Sequence, residues 1–91
     1  MKAAEYHTYK VYMAEADYNK RLGDSFKDSS SPRYNIARTY YRNAELLYNK
    51  AATTASIYGE KGLREKASNE MHECRKLIAF CSSKTSTIIT K

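Results

Sequence analysis

Tryptophan is absent from this chain of 91 residues, proline occurs once, cysteine twice and glycine three times. So few turn formers disfavour sandwiches and small barrels, whose many short strands need Gly- or Pro-bearing turns. No apolar run approaches the roughly 20 residues of a membrane span. The opening Met1-Lys2-Ala3-Ala4-Glu5-Tyr6-His7 has no apolar h-region, so no secretory signal is expected. Cys74 and Cys81 lack CxxC spacing. On one helix they stand about 10.5 Å apart along the axis, beyond the roughly 7 Å that a disulfide bridges. Buried, reduced thiols in a cytoplasmic protein are therefore expected. His7 and His72 are the only imidazoles, and their spacing from each other and from Cys74 and Cys81 fits no ordinary zinc site. The chain carries no Walker loop, GxGxxG, HExxH or nucleophile elbow. No catalytic residue, metal or cofactor is expected.

Hydrophobic residues make up 42% and charged residues 29%, the balance of a globular chain. The length suits one domain with one core. Apolar spacing divides the chain into three helical segments. The first runs from about Ala3 to Leu22, with Ala4, Val11, Ala14, Tyr18 and Leu22 on one row and Tyr6, Tyr9 and Met13 beside it. Gly23 follows Lys20-Arg21-Leu22 as a C-terminal glycine would. Phe26 either extends the helix or pins the loop. Asp28-Ser29-Ser30-Ser31-Pro32 is the clearest break, with Ser31 placed as an N-cap and Pro32 as the first helical residue.

The second segment shows Ile36, Tyr40, Ala44, Leu47, Ala51, Ala55 and Tyr58, with Ala37, Tyr41, Tyr48 and Ala52 alongside. Arg38, Arg42, Glu45 and Asn49 are expected on its outer side. So wide an apolar face touches two neighbours, which puts this helix in the middle. Gly59-Glu60-Lys61-Gly62 is the second break. The third segment carries Leu63, Ala67, Met71, Cys74, Leu77 or Ile78, and Cys81, with His72 on its polar face. The fold expected is all-α, an antiparallel three-helix bundle over residues 1–82 with a flexible C-terminal tail over 83–91. One echo stands out: Ala14-Glu15-Ala16-Asp17-Tyr18-Asn19-Lys20 and Ala44-Glu45-Leu46-Leu47-Tyr48-Asn49-Lys50 share five of seven residues. It reads either as chance or as a tetratricopeptide-like helical hairpin.

Three stretches resemble the MIT domain, the microtubule-interacting and trafficking module. They are Tyr18-x-x-x-x-Gly23-x-x-Phe26, Ala37-x-x-Tyr40-Tyr41-x-x-Ala44-x-x-Leu47, and Leu63-x-x-Lys66-x-x-x-x-Met71-x-x-Cys74-x-x-Leu77. The loop between Ser25 and Ser31 is longer than the family's. The resemblance implies a three-helix bundle that binds tail peptides in an interhelical groove. Carried onto this chain, that groove is the one between helices two and three. Its lining would be Tyr41, Tyr48, Ala52, Met71, Cys74 and Ile78, with Arg64, Arg75 or Lys76 at the rim. An amphipathic peptide would lay apolar anchors there while rim cations meet its carboxylates.

Lys and Arg outnumber Asp and Glu by 16 to 10, a net charge of +6. Residues 1–30 carry five cations and five anions, 31–60 four and two, and 61–91 seven and three. The excess therefore lies toward the C-terminus and favours acidic partners. The leading expectation is a small adaptor that binds an acidic peptide or helix of a partner protein. Two alternatives stay open: a basic helical nucleic-acid-binding protein, for which no recognition motif is present, and an obligate homo-oligomer that buries rows of its nine tyrosines.

Overall fold

The structure, a computed structural model, describes the backbone of residues 1–89 and the side chains through Thr85. It is a three-helix bundle: α1 (Ala3–Lys27), α2 (Tyr34–Ile57) and α3 (Lys61–Ile89). Cross-helix bonds set the directions. Tyr48 and Tyr41 of α2 donate their hydroxyls to Asp17 and Asp24 of α1, so rising numbers meet falling ones and the pair is antiparallel. Arg75 pairs with Glu45, and Arg38 donates to Ser82 and Thr85, so α2 and α3 are antiparallel too. Consequently α1 and α3 run the same way. Both pack closely on α2, whereas their own backbones approach each other at few points and meet through side chains.

Alanine explains the close packing on α2. Ala37, Ala44, Ala51 and Ala55 of α2, Ala16 of α1 and Ala67 of α3 are fully buried. Small side chains let helix axes come near the short end of the usual 8–10 Å range. Tyr41, Tyr48, Cys74 and Cys81 are the largest side chains wholly enclosed. The interior forms two clusters. The larger gathers Tyr9, Met13, Ala16, Tyr48, Met71 and Cys74, and the smaller joins Ala37, Tyr41 and Cys81 to Phe26, Tyr34, Leu77 and Ile78. The middle position expected for the second segment is thus observed.

The boundaries differ from expectation in three places. Gly23 does not end α1, which continues to Lys27. A Cβ on Gly23 would stand 2.6 Å from Cε1 of Tyr41, so the position accommodates a ring rather than a turn. Phe26 extends the helix and stacks on Tyr40, with centroids 5.7 Å apart. Neither Ser31 nor Pro32 starts α2. Arg33 is its N-cap, with no side-chain cap bond. The Arg33 N–H donates to the Phe26 carbonyl (3.1 Å), which closes the connection after the proline instead of before it. The tail expected over 83–91 lies, for side chains from Ser86 and for backbone from Thr90, outside the described residues. Its first residues continue α3, where Thr85 donates to the Ser82 carbonyl and accepts from Arg38.

The second break is as expected, with an identifiable cause. Gly59 takes φ +71°. Its N–H reaches the Ser56 carbonyl and the Glu60 N–H the Ala55 carbonyl, the paired bonds of a Schellman cap. The echoed heptads do not occupy equivalent places: Ala44 and Tyr48 are buried, whereas Ala14 and Tyr18 are exposed. Arg38 and Glu45, expected on the outer side, instead lie at the edge facing α3, as their bonds show.

Candidate peptide-binding groove

The seam between α2 and α3 is closed. Tyr41, Tyr48 and Cys74 have no exposed surface, and Ala52 and Met71 are also buried. They are core residues and line no open groove. Ile78 is half-buried against the smaller cluster. Arg64 and Arg75 are exposed, and the Arg75 Nε lies 2.6 Å from Glu45 Oε2. The expected lining is therefore brought together, but as interior.

The opening lies on the other side of α2, between α1 and α3. A groove of about 550 Å³ runs there. Tyr6, Ala14 and Leu63 supply its accessible apolar lining, with the buried Tyr9 and Met13 beneath them. Lys10, Asp17, Lys66 and Glu70 bring charge to it. Two bonds tie α1 to α3. The Tyr9 hydroxyl donates to the Leu63 carbonyl at 2.9 Å, and Lys20 Nζ donates to Glu70 Oε2 at 2.9 Å. Bulky side chains, in place of the alanines of the other seams, hold these helices apart.

The charges are unequally engaged. Asp17 accepts from the buried Tyr48 hydroxyl, and Glu70 accepts from Lys20. Lys10 sits 5.0 Å from the centre of the Tyr6 ring, and Lys10 and Lys66 are both exposed. No ion pair joins either lysine to a carboxylate among the described residues. The groove thus offers two available cations and two carboxylates already bonded. Burial lowers the Lys20 ammonium, but the hydrogen bond and charge of Glu70 outweigh it and hold the pKa above its ordinary value. Burial, then the neighbouring Tyr6 and Asp17, raises that of Tyr9. These hydroxyl and ammonium donors keep their protons at neutral pH.

The apolar spacing puts Tyr6, Tyr9 and Met13 on a second row of α1 and names neither Lys66 nor Glu70 as a groove residue. It missed the groove they form. The available signal was size: large side chains on α1 and at Leu63 contrast with alanine at the centre of α2. Among the described residues no group of three His, Cys, Asp or Glu side chains could hold a metal ion. No helix among them is long and apolar enough to cross a membrane. Both cysteines are free and buried, as expected. No protein-family model matches the chain, and neither a curated protein nor a solved structure does.

Proposed function

We propose that this chain is a non-enzymatic, cytoplasmic adaptor that seats an acidic amphipathic segment of a partner protein between α1 and α3. The observation that carries the reading is the open seam between α1 and α3, with a partly exposed apolar edge and two lysines outside any described ion pair, beside an α2–α3 seam whose expected lining is largely buried among the described residues. Helices present no free backbone edge in mid-length, so strand addition is excluded there and side chains supply the recognition. Apolar anchors of the ligand would cover Tyr6 and Leu63, above the buried Tyr9 and Met13. Its carboxylates would meet Lys10 and Lys66, which steers encounter and fixes register. The order of three helices with the small-aromatic-small one in the middle supports the MIT-like reading, although the seam differs from the one that resemblance implied.

The test is titration of ¹⁵N-labelled protein with acidic amphipathic peptides. Amide shifts are expected at Tyr9, Met13 and Lys66, with little change at Tyr41. Replacing both lysines, K10E with K66E, should abolish those shifts and leave the melting temperature nearly unchanged. An absence of shifts at millimolar peptide overturns the reading.

A further inference from the structure

Where α1 ends, α2 begins and α3 nears its end, four aromatic rings gather. Phe26 stacks on Tyr40, and Tyr34 meets Phe80 edge-on, with centroids 5.8 Å apart. Phe80 is 44% exposed. Two ammonium groups lie over its ring, Lys84 Nζ at 5.3 Å and Lys27 Nζ at 6.0 Å from its centroid, and would swing aside for a stacked base. Arg33, beside Tyr34 in the connection, is exposed. The carboxylates nearby are Asp24, which accepts from Tyr41, and Asp28, 3.3 Å from Lys27. Cations therefore outnumber anions around an open ring.

We infer that this aromatic and lysine-bearing end binds single-stranded nucleic acid, stacking a base on Phe80 while Lys27, Arg33 and Lys84 meet the backbone phosphates. An aromatic face with flanking cations matches a ligand that joins a planar base to an anion. The surface is open, whereas a free nucleotide needs a concavity that covers most of it. A strand gains instead from several weak contacts in series. Duplex bases are stacked on one another and offer no free face. One half-exposed ring is too little apolar surface for insertion into a bilayer. The site is independent of the groove between α1 and α3.

The experiment is fluorescence anisotropy of the full chain with a labelled oligothymidylate of about 12 nucleotides, within the usual site size. Binding should weaken roughly twentyfold between about 50 and about 200 mM salt if three phosphates are neutralised. Phe80→Leu keeps an apolar side chain against Tyr34 and should weaken binding roughly tenfold, the order of one lost base stack. Lys84→Gln should flatten the salt dependence. Lys66→Ala, in the groove, should change nothing. The inference is overturned by any of three results: no binding at the lower salt, duplex bound as tightly as single strand, or Phe80→Leu binding like the parent. Equal losses from Lys66→Ala and Lys84→Gln would also overturn it, since they would reduce the effect to overall charge.

Discussion

Two cross-sections of the bundle, two helical turns apart, are built from the same parts. One holds Asp17 of α1, Tyr48 of α2 and Cys74 of α3, and the other holds Asp24, Tyr41 and Cys81. In each, α2 buries a tyrosine ring and passes its hydroxyl proton toward an α1 carboxylate, and each thiol lies close enough to influence its tyrosine electrostatically. The surroundings differ. The Tyr48 section is walled by Tyr9, Met13 and Met71 and borders the groove. The Tyr41 section is walled by Phe26, Tyr34, Leu77 and Ile78, and its ring lies against Gly23. One heptad earlier on α1, the corresponding small residue is Ala16. The pair teaches that one polar device can serve a section bordering a groove and a section walled by aromatics, because the hydroxyl is satisfied within its own section.

Removing either ring should have the largest effect. Tyr48→Ala and Tyr41→Ala should each cost roughly 3–5 kcal/mol in urea unfolding, as for other buried aromatics. A large inequality would show that the sections are not equivalent supports. Alkali should weaken both. Burial pushes the Cys74 thiol up to about 12, above its ordinary 9.0, against the pull of Lys20. Burial also raises Cys81, Tyr41 and Tyr48, with the hydrogen bonds to Asp24 and Asp17 adding to the two tyrosines. The native state thus keeps protons that the unfolded chain gives up. Stability should be full below about pH 9 and fall as pH rises toward 12. Circular dichroism in urea across that range checks it, and a flat profile would contradict the burial of these groups.

Glycine substitution should separate contact from propensity. Gly23→Ala gains helix propensity yet drives a Cβ into Tyr41, so it should destabilise by roughly 1–3 kcal/mol. Gly62→Ala meets open space at the start of α3 and should stabilise by roughly 0.4–1 kcal/mol. Opposite signs in thermal melts would locate the constraint at the Tyr41 section. Lys20→Ala is the mildest change. Its partly exposed pair with Glu70 should be worth less than about 1 kcal/mol and fade with salt. Its main effect should be on ligand affinity at the groove.

The helices and their order were legible because the rows through Tyr41, Tyr48 and Cys74 keep a helical period over many turns. The end of α1 was not. A glycine after three residues that suit a last turn looks like a stop, and only the Tyr41 ring, distant in sequence, shows why it sits inside the helix. Ser31 and Pro32 mimic a helix start, whereas the connection is closed by a bond to Phe26. Which seam stays open was not legible for a related reason. Periodicity identifies apolar positions but does not say which of the seams will shut. That choice depended on alanine at Ala44, Ala51 and Ala67 against the bulk of Tyr9, Met13 and Leu63.

The placement of the two sulfhydryls, one per cluster, gives the molecule a pair of internal clocks. A thiol sealed from solvent and held protonated is unreactive toward an alkylating reagent until its surroundings part. Alkylation at Cys74 therefore times the opening of the half that borders the groove, and alkylation at Cys81 times the aromatic half. If a groove-bound ligand slowed the first clock and left the second running at its old pace, the two halves would breathe separately. If both slowed together, the bundle would open as one body.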